Sequence, residues 1–499
     1  MTHHWIKVLA LSAGVLATGC ATRGTESVAG LSRIDHIVII YAENHSFDNM
    51  YGMFPGANGV ANAQPTQTVQ RDHDGKPLER LPAVYNTGKV DPRYPAGLPN
   101  GPFRIDAPPV NARIDQVVPN PIHNYYQNME QINGGRNDRF VAMTNVGAWT
   151  MGYYDGSSQK VWQWAKDYTL ADNFFMGAFG GSFLNHQWLV CACTPQFSAA
   201  PASMRAQLDS QGRLLKKPGS PASVMDGLAQ LMDGAVTPDG YVVNTSQPSF
   251  QPSGTAPAAG GNPEMADPAK FPVPPQTAET IGDRLNDKRI SWAWYAGGYD
   301  KAMADGRQAP DAKRNVIYHR SPESPNFQPH HQPFNYFAQF APGTANRAAH
   351  LLDGDRFVEA IDKGTLPQVA FYKPPGRLSQ HPSYTDIYSG DLHIAELLER
   401  LKRSPQWAHM AVIVTYDENG GYWDHVAPPT GAGWGDRWGP GTRIPTIIVS
   451  PYARRGFVDH TANDTTSILK FISKRFDLAP LPGVRANMGD LTTAFDFSQ

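Results

Sequence analysis

The stretch Ile37-Val38-Ile39-Ile40-Tyr41-Ala42-Glu43-Asn44-His45-Ser46-Phe47-Asp48 decides how the chain folds. An unbroken β-branched run suits a strand buried on both faces of a parallel sheet, where side chains of either parity meet a covering layer. The run stops abruptly at Glu43-Asn44. In an open α/β sheet, ligands gather beyond the carboxyl ends of the strands. A carboxylate and an amide are therefore aimed at the place where chemistry usually sits.

The same construction recurs nearly the whole chain away. Met410-Ala411-Val412-Ile413-Val414-Thr415-Tyr416 is apolar and ends at Asp417-Glu418-Asn419-Gly420-Gly421. Two strands that end this way can converge on one divalent cation, because hard cations take oxygen ligands. The plainer alternative is that each acid caps the turn after its own strand. Two such ends, both followed by Gly or aromatic residues, favour the metal site. The turn beyond them, Tyr422-Trp423-Asp424-His425-Val426, offers an Asp and a His as a further ligand pair or as a structural ion pair.

Outward from these runs, strand and helix alternate. Helices are expected over 157–168 with Ser157 as N-cap, and over 280–288, 346–362, 390–403 and 464–476. Strands are expected over 290–295, 368–372, 411–416 and 444–450. Such alternation marks a parallel sheet with crossover helices. Irregular stretches rich in Pro and Gly at about 54–121 and 236–278 read as long loop insertions. Residues 33–499 read as one domain. With 499 residues, 18% charged and a formal net charge of −2, the chain lacks the basic footprint of a nucleic-acid binder.

The N-terminus reads as a targeting segment, residues 1–20. Lys7 precedes the short apolar run from Val8 to Leu16, and the small residues Ala17-Thr18-Gly19 lead to Cys20. This predicts export, with Cys20 either lipidated as a membrane tether or removed by ordinary cleavage. Cys191 and Cys193 remain, as a disulfide in an oxidising compartment or as two small thiols. Oligomeric state leaves no mark in the sequence.

Gly177-Ala178-Phe179-Gly180-Gly181-Ser182-Phe183-Leu184-Asn185-His186-Gln187 is a glycine turn running into a Ser. Glycines let backbone approach a phosphate closely, and a Ser at a helix N-terminus is placed to stabilise an alkoxide. The equal alternative is that Ser182 is an N-cap. Histidines follow strands or sit between prolines: His123 after Pro121-Ile122, His330-His331 within Pro329 to Pro333, and His381 before Pro382. They line a cleft or lie on the surface. Together these parts suit phosphoryl transfer. A divalent cation activates the Ser182 hydroxyl, a phosphoserine forms, and a histidine protonates the leaving oxygen or activates water. Helix-end amides, Asn185, His186 and imidazolium groups would hold the phosphate, giving an optimum at mildly acidic pH.

Glu43-Asn44-His45-Ser46-Phe47-Asp48-Asn49 resembles the Glu-Asn-Arg-Ser-Phe-Asp signature of the bacterial phosphoesterase family, which contains phospholipases C and exported acid phosphatases. Thr415 to Gly421 with Trp423-Asp424-His425-Val426 resembles its second motif, so the likeness runs from Arg33 to about Asp459. The Gly-Gly-Ser-Phe-Leu-x-His-Gln turn is similar to that of the respiratory-burst-inhibiting acid phosphatases; the phospholipases C carry Thr there. The resemblance implies an α/β fold, a three-layer α/β/α sandwich like alkaline phosphatase. It implies one or two divalent metal ions held by Glu43, Asn44, Asp417, Glu418 and the nucleophile Ser182, and pocket histidines His123, His330, His331 and His381. It implies a small phosphomonoester substrate, with a phospholipid headgroup as the alternative. His45 stands where the family has Arg, and no catalytic role attaches to it.

Overall fold

The computed structural model describes Met1 and residues 30–498. The expectations for the targeting segment and Cys20 lie outside the described residues.

The stretch that opened the reading is strand β1, His36–Ala42, and Ile37 to Ile40 are completely buried. Seven further strands complete an eight-stranded sheet: β2 (Thr169–Ala171), β3 (Trp292–Ala296), β4 (Leu351–Asp353), β5 (Val369–Lys373), β6 (Met410–Tyr416), β7 (Thr446–Val449) and β8 (Phe457–Asp459). Their order is β8-β2-β7-β6-β1-β5-β3-β4. β1 sits centrally and pairs parallel with β5 and with β6. That pairing brings Ala42 level with Tyr416, so Glu43 and Asp417 leave the sheet side by side. Every residue of β1 from Ile37 on, and every residue of β5 and β6, is buried. Both parities are therefore covered, which requires a layer on each face. One helical group packs 160–167, 354–363 and 387–403 together; another packs 182–191 with 281–287 and 465–476. The fold is α/β in three layers, as expected.

Several details differ. β7 runs antiparallel to both neighbours, so the sheet is mixed. The helix expected over 346–362 is two helices, Ala345–His350 and Gly354–Lys363, with β4 between them. Asp353 caps the second by accepting the Asp355 N–H, which resets the chain direction. Ser157 is not a cap. The helix begins at Lys160, and the buried Asp391 carboxylate, from across the fold, accepts the N–H groups of Lys160 and Val161. A long-range cap of this kind leaves no local signature. Elsewhere local signals held: Thr280 and Asp464 cap Ile281–Asp287 and Thr465–Phe476 with capping boxes. Cys191 and Cys193 form a disulfide. Among the described residues no helix is long and apolar enough to cross a membrane.

Candidate active site

The carboxyl ends of β1 and β6 form the floor of the site. Asn44 takes a left-handed backbone conformation, φ +63°, uncommon for a residue other than Gly. Its N–H donates to Asp417 Oδ1 at 3.3 Å, and its Oδ1 lies 3.4 Å from Ser182 Oγ. Gly420 makes this approach possible, because a Cβ there would lie 2.2 Å from the Asn44 carbonyl oxygen. Glu418 is tied back by accepting the Gly420 N–H.

Ser182 is the first residue of the helix Ser182–Cys191, and Gly181 is the N-cap residue. The N-cap alternative for Ser182 therefore falls. Its hydroxyl also reaches the Asp417 carboxylate. The glycines of the turn also have a packing job. A Cβ at Gly180 would lie 2.5 Å from Tyr125 N, and one at Gly181 would lie 2.8 Å from His123 O, so they admit the segment carrying His123. Asn185, by contrast, is corrected. Its Oδ1 accepts the Ala178 N–H at 2.9 Å and its Nδ2 donates to the carbonyls of Ala178, Gly180 and Gly181. It clamps the turn, and no part of its amide faces a ligand. The reason is geometric: helical side chains tilt toward the N-terminus, back onto the preceding turn.

One donor atom each from Glu43, His186, His331 and Asp417 lie within 4.8 Å of one another, all from buried residues. His186, expected on the substrate, belongs to this group instead. Its Nδ1 donates to the Ser182 carbonyl at 2.7 Å, which leaves the Nε2 lone pair free. His331 Nε2 lies 2.8 Å from Glu43 Oε1 and its ring stacks on His186 at 4.8 Å. His381 Nε2 lies 4.0 Å from Glu43 Oε2, and His123 Nε2 lies 3.7 Å from Glu418 Oε1. His123 and His381 are at the mouth, 17% and 11% exposed at the side chain. His330 packs edge-on against His331 at 4.3 Å.

Lys373, the last residue of β5, is a partner the sequence reading missed. Its ammonium is buried against Glu43 Oε1 and sits over the Tyr41 ring at 5.4 Å. Burial opposes ionisation of Glu43, but His331 and Lys373 outweigh it and hold the carboxyl well below its usual range. Asp417 is pushed up to about 8 by burial and then by the Glu43 charge. Glu418 is raised well above its usual range by burial and the Asp417 charge.

Do these residues fit a cation? Glu43 Oε2, Asp417 Oδ2, Glu418 Oε1 and His186 Nε2 are buried and meet no hydrogen-bond partner within the protein. Buried acceptors of one sign at close range are costly unless a proton or a cation joins them. The donor set, carboxylates with imidazole, fits a divalent ion. A stability test follows. Without an ion, the raised Asp417 pKa means the folded state binds a proton that the unfolded chain, with a pKa of about 3.9, does not. Above about pH 6.5, where the histidines of the unfolded chain are neutral as well, chelated protein should therefore lose stability as pH rises toward 8. Added divalent ion should raise Tm most at pH 8, and least near pH 5. Equal shifts at both pH values would contradict the assignment.

Burial opposes the expected imidazolium grip on phosphate. Burial depresses all five rings: His381 to about 3, His331 to about 4, His330 and His186 well below and His123 below their ordinary value. At mildly acidic pH His331 and His381 are neutral donors or acceptors, so an acidic optimum does not follow from these two rings. His45 is structural, bonded to Asn49 Oδ1 at 2.7 Å and to the Gln380 carbonyl at 3.1 Å, and stacked on Tyr422.

Asp424 and His425 do not pair with each other; with Asp48 they form a second compact group of possible ligand atoms, and each is paired within a buried network. Arg443, fully buried, places Nε 2.8 Å from Asp424 Oδ1 and a terminal nitrogen 3.2 Å from Asp48 Oδ1. His425 Nδ1 lies 2.6 Å from Asp48 Oδ2. A guanidinium already supplies the positive charge there.

The sequence profile of the Phosphoesterase family matches residues 34–479, past the Asp459 limit expected. Phospholipase C B of Mycobacterium tuberculosis is 24% identical, covering 94% of this chain and 78% of its own. The non-hemolytic phospholipase C of Burkholderia pseudomallei is 26% identical over 93% of this chain and 59% of its own length. The hemolytic phospholipase C of Pseudomonas aeruginosa is 26% identical over 93% and 56%. A profile that spans both acidic strand ends, the Ser182 turn and every histidine of the pocket covers the whole site, and with it the chain belongs to the phosphoesterase family as a phosphoric ester hydrolase.

Proposed function

We propose that the chain hydrolyses phosphomonoesters through a phosphoserine on Ser182. The observation that carries this reading is the meeting of the Ser182 hydroxyl, at a helix N-terminus, with Asn44 and Asp417 from two different strand ends. The helix field favours the alkoxide and the equatorial phosphoryl charge. Glu43, His186, His331 and Asp417, with Glu418 beside them, would hold the divalent ion, whose chemistry is to neutralise phosphoryl charge and lower the hydroxyl pKa. Ser182 Oγ bonds phosphorus as the P–O ester bond breaks; the hydroxyl proton passes to a pocket imidazole and on to the departing oxygen, which leaves as the alcohol. His123 and His381 donate Nδ1–H to backbone carbonyls, so each turns an Nε2 lone pair toward the mouth. That lone pair takes a proton from the water that bonds phosphorus; the Oγ–P bond breaks, inorganic phosphate leaves, and the proton returns to Ser182 Oγ. Export belongs to this reading on the strength of the Lys7 to Cys20 pattern.

A second reading, phospholipase C cleavage of a phosphodiester headgroup, is favoured by the names of the relatives. Product analysis separates the two. With purified protein and divalent ion, an aryl phosphate should release inorganic phosphate with kcat/KM at least about 100-fold above that for phosphocholine release from phosphatidylcholine, a difference of ~2.7 kcal/mol. Preferential release of phosphocholine would install the second reading.

A further inference from the structure

Among the site histidines, three are held by backbone carbonyls, His331 faces Glu43, and His330 is held by a side-chain hydroxyl. His123, His186 and His381 each donate Nδ1–H to a backbone carbonyl, of Pro121, Ser182 and Pro382. Their Nε2 atoms are therefore acceptors. His330 has no such carbonyl; its Nδ1 lies 3.1 Å from the Tyr318 hydroxyl.

The direction of that bond can be read from its far end. The Gly254 N–H can only donate, and it does so to Gln247 Oε1 at 2.7 Å. The other end of that amide is therefore NH2. It donates to the Tyr318 hydroxyl at 2.8 Å. With a lone pair occupied, the hydroxyl hydrogen is left for His330 Nδ1. A neutral imidazole that accepts at Nδ1 carries its hydrogen on Nε2.

Tyr318 is held for this purpose. Its φ is +55°, a left-handed conformation that a bulky residue adopts only when its surroundings impose it. The surroundings do so. The buried Asp305 carboxylate accepts the N–H groups of Asn315, Val316 and Ile317, and the Tyr318 N–H donates to the Phe327 carbonyl. The ring stacks on His330 at 6.2 Å.

We propose that Gly254, Gln247 and Tyr318 form a positioning relay that fixes His330 as the Nε2–H tautomer, making it a hydrogen-bond donor to a phosphoryl oxygen and neither a base nor an ion ligand. The role toward phosphate rests on the function proposed above; the tautomer does not. The relay also gives the insertion at 236–278 a task, since Gln247 and Gly254 lie in it and reach the pocket through Tyr318. His330 also lies outside the group of candidate ion ligands.

The test is nitrogen NMR on the full chain, magnesium-loaded, without substrate, with 15N-labelled histidine and His330 assigned by difference with His330→Asn. Wild-type protein should show a protonated Nε2 and an acceptor Nδ1 at His330. Gln247→Glu reverses the relay. A carboxylate still accepts the Gly254 N–H, but it has nothing to donate, so the hydroxyl turns toward it and then accepts from His330 Nδ1–H. The tautomer should flip, and kcat should fall by about 100-fold, the cost typical of losing one preorganised donor. Tyr318→Phe should give a mixed tautomer, and it serves as the readout if Gln247→Glu does not fold. A protonated Nδ1 in wild type, or an unchanged His330 pattern in the variant that folds, overturns the relay. Release of phosphocholine instead of phosphate would overturn the proposed function and leave the tautomer result standing.

Discussion

Ser182→Ala is expected to abolish turnover, with kcat lowered by about 10⁴ to 10⁶-fold while the fold survives. The size follows from what the residue does. If Ser182 Oγ is the atom that bonds phosphorus, nothing else in the pocket replaces it: among the side chains described around it no other hydroxyl or thiol stands at a helix N-terminus beside Asn44 and Asp417. The small structural cost follows from what Ser182 does not do. It is the first helical residue, not the cap, and its 3.4 Å approach to Asn44 Oδ1 is a long hydrogen bond. Stability should fall by no more than about 1 kcal/mol. Ser182→Thr keeps a hydroxyl and separates loss of the nucleophile from change of volume. Steady-state kinetics with a denaturant midpoint measured beside them decides the matter. Retained turnover in Ser182→Ala would remove the nucleophile, and a large drop in midpoint would make the residue structural.

How much of this could be read from sequence depended on direction. The strand ends at Glu43 and Asp417 were legible because an apolar run that stops at an acid records both burial and its limit. The same rule, applied to β5, would have found Lys373, which directly follows the expected strand 368–372. Histidine positions were legible, but their charge was not, because burial of all five rings is a property of the assembled pocket. Asn185 was legible as a residue type near a phosphate turn, and misread because its direction back onto that turn is set by helix geometry. The helix cap from Asp391 and the break at β4 were illegible for the same reason: each partner lies far along the chain or in a neighbouring strand.

Arg443 was wholly silent in the sequence, a single Arg between Thr442 and Ile444. Its replacement by Met is expected to cost roughly 3–5 kcal/mol, because removing one partner of a buried ion network leaves the others uncompensated. Asp48 and Asp424 would remain buried, with His425 as their neighbour. Lys cannot substitute. The guanidinium reaches Asp424, Asp48, the Asn58 carbonyl and the Asp172 carbonyl from different nitrogens, and one ammonium has no such spread. The effect should also reach turnover, since Asp48 and Asp424 sit just beyond the two acidic motifs and the network ties those segments together. Two controls give the prediction its edge. Burial already raises the Asp424 pKa despite Arg443, so without the guanidinium its folded-state pKa should rise further. A raised folded-state pKa gives stability that is present at low pH and lost as pH climbs, so the deficit of Arg443→Met should shrink near pH 4 and be full at neutrality. Adding Asp424→Asn to Arg443→Met should then restore part of the loss, giving a double variant less damaged than the sum of the single ones. Urea denaturation of the four proteins at two pH values measures all of this, and strict additivity with no pH dependence would show that Arg443 acts by volume and not by charge.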